Sequence, residues 1–285
     1  YSVSDCLITA SGPLSIPSTY NGLPVTSIGN SAFFTCSTLA SITIPDSVTS
    51  IGDSAFLGCS RLTSITLPDG LTTIENFTFT GCSGLTSITI PSSVTSIGAF
   101  AFESCTSLTN ITIPDSVTAI GGAAFRLCNG LTNITIPDSV TSIGQNAFEN
   151  CANLARISFE GDAPTFGIDV FISSDSVTIY YDSNYSGWSS TVAGRPTVQT
   201  NTLTFALNGD STEYSVSDCL TTASGPLVIP STYNGLPVTS IGSFAFSGCS
   251  GLTSIVIPDS VTAVGDSAFR FCSDLTNITI PDSVT

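Results

Sequence analysis

The apolar and polar positions of this chain fall into one phrase that returns along most of its length. In Leu62-Thr63-Ser64-Ile65-Thr66-Leu67-Pro68, apolar side chains alternate with Ser and Thr. Ile65 and Leu67 therefore face one way and Ser64 and Thr66 the other, the period-2 pattern of a half-buried β-strand. Pro68 ends the strand, and Asp69-Gly70 turns the chain. In the preceding unit, Val48 and Ile51 read as a second short extended piece that Gly52 ends. Asp53-Ser54-Ala55-Phe56-Leu57-Gly58-Cys59 then predicts one helical turn, with Asp53 as its cap and Phe56 and Cys59 on its inner face.

The cysteines set the period. Cys36, Cys59, Cys82, Cys105, Cys128 and Cys151 stand 23 residues apart, and Cys249 and Cys272 repeat the interval. The full unit reads L-T-x-I-T-I-P-D-S-V-T-x-I-G-x-x-A-F-x-x-C. A fixed period of this length marks a solenoid, in which each unit buries its apolar face only by stacking on its neighbours. The expected fold is β-rich: one strand, a second short extended piece and one helical turn per 23-residue unit.

Breaks in the period divide the chain into two arrays in tandem, residues 1–199 and 200–285. Residues 1–29 read as an N-terminal cap, because a loop carrying Asn21-Gly22 and Leu23-Pro24 lengthens the first unit. Residues 30–160 are the regular repeats, and 161–199 read as a C-terminal cap ending in a linker at Gly194-Arg195-Pro196-Thr197. In the second array, 200–242 read as a hairpin and a second cap, followed by repeats over 243–285. Tyr214 to Gly242 reproduces Tyr1 to Gly29 with 2 differences in 29 positions, Ile8 against Thr221 and Ser15 against Val228. By this comparison Tyr1 starts midway through a hairpin, so the chain reads as part of a longer protein.

Composition narrows the chemistry. Five Arg, no Lys and no His stand against 21 acidic residues, a net charge of −16. That balance excludes nucleic acid and anionic membranes as partners, since both require a basic footprint. No apolar run approaches the ~20 residues of a membrane span, so no membrane insertion is expected. Without His there is no Ser-His-Asp triad, Cys-His pair or H-E-x-x-H zinc site, and without Lys no P-loop lysine or Schiff base. Paired carboxylates remain as possible hydrolytic groups, but nothing singles out one pair. The chain reads as a non-enzyme with no catalytic residue, cofactor or metal site.

Four columns of side chains remain as candidates. The in-register cysteines read as buried small hydrophobes, with bonds between adjacent turns as the alternative; zinc is disfavoured because there is no C-x-x-C pair. Cys6 and Cys219 are out of register and fall in the caps. Asp46, Asp69, Asp115 and Asp138 read as solvated turn residues after Pro, or as weak calcium ligands between turns. The polar strand positions are Ser64, Thr66, Ser87, Thr89, Asn110, Thr112, Asn133 and Thr135. They are a solvated β-surface or a broad hydroxyl-rich binding face, with an ice-ordering lattice as a remote third reading. Tyr180, Tyr181, Tyr185 and Trp188 form either cap packing or an aromatic patch for stacking sugars.

The L-x-x-I-x-I phrase at Leu131 to Ile136, the V-T-x-I-G phrase at Val140 to Gly144 and the A-F-x-x-C phrase at Ala147 to Cys151 resemble the BspA-type leucine-rich repeats. These form the 23-residue class of bacterial surface proteins and some parasitic protists. The resemblance implies a curved leucine-rich-repeat solenoid with the strand phrase on its concave side. It also implies a secreted or cell-surface protein used in adhesion or protein binding, with a protein or cell-surface ligand of unknown identity. A structural spacer or stalk with no ligand of its own is the alternative.

Overall fold

The computed structural model describes residues 1–4, 12–181, 185–199, 203–219, 221, 223–233 and 235–285. They form two compact units that divide near Val198.

In the first unit the strand phrases stack as parallel ladders. Gly12–Ser15, Leu39–Thr43, Ser64–Thr66, Ser87–Thr89 and Asn110–Thr112 form one sheet. Asn133–Ile136, Arg156–Phe159 and Thr178–Tyr181 open a second. The repeat sets the register: Ser64 pairs with Ser41, Thr66 with Thr43, Ser87 with Asn110 and Asn133 with Arg156. Ile65, Ile88, Ile111 and Ile134 point into the core. Further on in each turn, Thr73–Ile74, Ser96–Ile97, Ala119–Ile120, Ser142–Ile143 and Thr165–Phe166 build another parallel sheet. Between the two walls run the stacked rings of Phe33, Phe56, Phe79, Phe102, Phe125, Phe148 and Phe171.

The expected helical turn does not form. Residues 53–58 are a run of tight turns, and the described residues contain no helix. Ala55, Leu57 and Cys59 donate their N–H groups locally, to the carbonyls of Gly52, Ser54 and Phe56. The intervening Ser54, Phe56 and Gly58 donate instead to Asn76, Thr78 and Thr80 of the next turn. An α-helix would send every N–H back four residues within its own segment. Here half of them serve the stack, which needs left-handed residues at Ser54 (φ 58°) and Gly58 (φ 77°). The pattern recurs at Ser31 and Thr35, Phe77 and Gly81, and Asn146 and Asn150. Asp53 likewise caps no helix: its Oδ1 accepts the Asn76 N–H of the next turn at 3.0 Å, and Asn30 Oδ1 accepts the Asp53 N–H at 3.1 Å.

The inserted loop of the first cap is a two-residue hairpin. Thr19–Tyr20 pairs antiparallel with Leu23–Pro24, and Asn21 and Gly22 both take positive φ (49° and 76°). This is the turn that Asn-Gly favours. At the other end of the unit, the stretch expected as a linker is the strand Arg195–Gln199, which turns back on Thr191–Val192 through Ala193 and Gly194.

The second unit has its own core, including Val216, Val238, Ile241, Phe246, Leu252 and Ile255. Leu203–Leu207 runs antiparallel to Tyr214–Cys219, which pairs in parallel with Leu236–Ile241. Ser224–Val228, Gly251–Val256 and Asn277–Thr279 form its strand-phrase sheet. A disulfide joins Cys219 to Cys249.

The exposed strand face as candidate binding site

The strand phrase places its Ser, Thr and Asn side chains on one open surface. Ser64, Thr66, Ser87, Thr89, Asn110, Thr112, Asn133 and Thr135 are all exposed, while the Ile between each pair is buried. Parallel pairing aligns Thr66, Thr89 and Thr112 in one row and Ser87 with Asn110 in the next. Adjacent members stand one strand spacing apart, ~4.8 Å. Side chains just outside the two rows are committed to the fold. Thr63 and Thr109 donate their hydroxyls to the carbonyls of Ala40 and Thr86 one turn back, each at 3.2 Å. On the other wall, Thr95, Thr118 and Thr141 do the same. Within the rows, Asn133 Nδ2 donates to Thr132 Oγ1 at 3.1 Å. The polar side-chain atoms of Ser64, Thr66, Ser87, Thr89, Asn110, Thr112 and Thr135 bond to no other described residue. The face is therefore a lattice of unspent donors and acceptors on a rigid support.

At the C-terminal end of this face the character changes. Arg156 and Ser158 continue the two rows and pair with Thr178 and Tyr180. The Arg156 guanidinium lies 3.6 Å from the centroid of the Tyr180 ring. The proposed aromatic patch is divided by strand alternation. Tyr181 and Trp188 turn inward and stack at 4.9 Å, with Phe159 4.8 Å from the indole, and Trp188 Nε1 donates to the Gly161 carbonyl at 3.2 Å. Tyr180 alone stays on the polar face. Tyr185 lines a shallow depression of ≈ 440 Å³ with Asp138, Asp162 and Thr165. The four rings offer no single stacking platform.

The cysteine column is a hydrogen-bonded element of the core. Cys59, Cys82, Cys105, Cys128 and Cys151 donate Sγ–H to the carbonyls of Phe33, Phe56, Phe79, Phe102 and Phe125 in the preceding turn, at 3.0–3.2 Å. Ser174 takes the next place, with Oγ 2.7 Å from the Phe148 carbonyl. Burial pushes the thiols of Cys82, Cys105 and Cys128 well above the ordinary value of 9.0, and that of Cys151 to about 12. One in-register cysteine departs from the buried-thiol expectation: Cys249 is bonded to Cys219 of the second cap. Cys6 lies outside the described residues.

Asp46, Asp69, Asp115 and Asp138 are exposed, and their carboxylates make no hydrogen bond to a described residue. The next residue, which the sequence reading passed over, does the structural work. Ser47, Ser93, Ser116 and Ser139 donate their hydroxyls across turns to Val25, Leu71, Val94 and Val117 at 2.5–2.7 Å. The signal was the Ser that recurs in P-D-S-V within the chain's own repeats, with Gly70 in its place after Asp69. Among the described residues no group of three or more Cys, Asp or Glu could hold a metal ion, and no helix is long and apolar enough to cross a membrane.

Comparison with known proteins agrees with this architecture. The family described as BspA type leucine rich repeat region matches in six copies, over residues 14–108, 72–192 and 227–285. A leucine-rich-repeat protein from T. pallidum has 34% identity over 62% of this chain and 82% of its own, with a TM-score of 0.57. A leucine-rich cell surface protein from Faecalibacterium prausnitzii has 27% identity over 97% of this chain and 72% of its own (TM-score 0.48). A leucine-rich repeat protein from Bacteroides ovatus has 25% identity over 96% of this chain and 82% of its own (TM-score 0.45). No curated protein matches the chain. The repeat phrases, the stacked parallel ladders and the family match converge: the chain belongs to the BspA-type leucine-rich repeat family.

Proposed function

We propose that this chain is a non-enzymatic binding module of a secreted or surface protein, and that it takes a protein partner on the exposed strand face of its first unit. The observation that carries the reading is the contrast in hydrogen bonding. Hydroxyls elsewhere on the turns, such as those of Thr63, Thr95 and Ser116, are engaged across the stack, whereas seven of the eight face residues leave their side-chain donors and acceptors unused. Each turn couples only to its neighbours, so such a face can be varied position by position without altering the fold. The Cys219–Cys249 disulfide fits an oxidising compartment, as extracellular placement requires.

The test is saturable binding of the labelled protein to intact host or neighbouring bacterial cells, compared with a variant carrying Thr66→Lys, Thr89→Lys and Thr112→Lys. These sites are exposed, so the variant should fold, its melting lowered only modestly by repulsion between neighbouring Lys, and lose binding at least tenfold. Thr72→Lys, off the face, should bind as the parent does. Binding indifferent to the triple change would sink the assignment of this face, and no saturable binding to any cell would favour a spacer.

A further inference from the structure

The regular face ends in two departures from the repeat, and they meet. Along one row the residues run Ser41, Ser64, Ser87, Asn110, Asn133 and then Arg156; along the other they run Thr43, Thr66, Thr89, Thr112, Thr135, Ser158 and then Tyr180. Arg156 is exposed and directly beside Asn133 and Thr178 in the ladder. Its Nε–H donates to Ser158 Oγ at 3.0 Å, and its guanidinium rests over the Tyr180 ring at 3.6 Å. The ring and the hydroxyl fix the plane of the fork. Both Nη groups remain, with four N–H donors that match the two oxygens of a carboxylate.

The guanidinium has no such partner among the described residues. Arg126 is paired with Glu103 and Glu149, and Arg195 with Asp175, whereas Arg156 makes no ion pair with a described residue. Its ladder neighbours Asn133, Thr135, Ser158 and Thr178 are neutral; the nearest acid along its own strand is Glu160, four residues on, past the end of the strand.

We infer that Arg156, seated on Tyr180, is the anchor subsite of the strand face and receives an Asp or Glu carboxylate from an extended segment of a protein partner. The inference rests on the reading of the strand face as a binding surface and names its first contact. Charge decides the class of partner. A chain of net charge −16 repels a polyanion as a whole, yet it presents here one cation among neutral hydrogen-bonding groups. That arrangement fits one carboxylate flanked by neutral peptide, whose amides the Ser, Thr and Asn rows can meet. Arg and Tyr are also the residue types that most often dominate protein interfaces. Restraint of the guanidinium before binding reduces the ordering cost of the contact.

The probe is acetyl-Gly-Glu-Gly-amide, titrated into the full chain while the Arg156 side-chain and Tyr180 ring resonances are followed by NMR. Arg61, exposed and making no ion pair with a described residue, is the internal reference. The glutamyl peptide should shift Arg156 and Tyr180 saturably, and its Gln analogue should bind at least tenfold more weakly. Arg156→Gln should abolish binding without changing the melting temperature, and Tyr180→Leu should weaken it several-fold. Equal responses at Arg61 and Arg156, or equal binding of the Gln analogue, would overturn the subsite. So would inorganic sulfate binding at least as tightly as the peptide, which would point to a sulfated ligand instead. On cells, loss of binding in the Thr66, Thr89 and Thr112 variant but not in Arg156→Gln would remove the subsite and leave the face standing. Indifference to both would remove the face.

Discussion

Alkali should loosen this protein through its thiol column, and Cys105 gives the cleanest measurement. Its side chain is fully buried, and its thiol is held well above 9.0 first by desolvation, then by repulsion from Cys128 and Cys82; the backbone of Cys82 opposes this only in part. A group whose pKa is raised in the folded state contributes stability that is fully present below the unfolded value. That stability is lost as pH climbs towards the folded value. The window thus opens near 9.0 and, for Cys151, runs to about 12. One pH unit above the unfolded value, each thiol that stays protonated only when folded costs about 1.4 kcal/mol of stability. Cys82, Cys105, Cys128 and Cys151 together then remove about 6 kcal/mol, comparable with the whole stability of a modest domain.

Other groups also titrate near pH 10, so the measurement is a difference. Cys105→Ser should fold, because Ser174 already occupies the equivalent place with its hydroxyl on the Phe148 carbonyl. The substitution should cost roughly 1–2 kcal/mol at pH 7.5, since a smaller, more polar group replaces the thiol. Urea denaturation of both proteins in reductant gives the gap between them. From pH 7.5 to pH 10 that gap should narrow by about 1.4 kcal/mol, because only the wild type has a thiol at this position to ionise on unfolding. A gap that stays constant would mean that Cys105 ionises as readily folded as unfolded. The dry, stacked interior described above would then be wrong.

Three further outcomes test the stack. Phe102→Ala removes a ring stacked on both Phe79 and Phe125 at 5.4 Å and should cost about 3–5 kcal/mol in chemical denaturation. A Cβ on Gly121 would meet Ala99 N and Gly98 C at 2.5 Å, so Gly121→Ala should force adjacent turns apart and cost about 3 kcal/mol, with no charge or polarity changed. Cutting at residue 200 should leave residues 1–199 melting cooperatively and 200–285 readily proteolysed, the more so once Cys219–Cys249 is reduced, which should cost the fragment about 2–5 kcal/mol. A 200–285 piece that melts as sharply as 1–199 would refute that boundary.

The walls of the solenoid were legible because each rests on a pattern written locally and repeated. Alternation in Ser64-Ile65-Thr66 decides the buried face of a strand, and a 23-residue period decides what it pairs with: Ser87 finds Asn110, as the spacing demands. The segment from Asp53 to Cys59 was misread because its evidence is ambiguous at short range. Phe56 and Cys59, three apart, share an inner face both in a helix and in a chain of tight turns, and local N–H bonds occur in each. The decision is made by carbonyls 22 residues away, at Asn76, Thr78 and Thr80. A hint was present in Gly58, Gly81, Asn146 and Asn150, residue types that accept positive φ, but Phe77 and Leu127 hold the same conformation and blur it.

The same division between stack and surface bears on the proposed binding face. Letters that hardly vary between turns, the core Phe, the Cys and the Ser of P-D-S-V, are spent on holding one turn to the next, so they carry little information about a ligand. The exposed rows answer to no such demand, and there the side chains lengthen toward the C-terminal cap, from Ser64 and Ser87 through Asn110 and Asn133 to Arg156. Backbone pairing joins Ser64 to Ser41, Ser87 to Asn110 and Asn133 to Arg156 alike, whatever the side chain, so the fold does not require the gradient. A repeat held to its pattern on three sides and released on the fourth leaves that fourth side free to differ between partners, and Arg156 over Tyr180 is where this chain differs most from its own repeat.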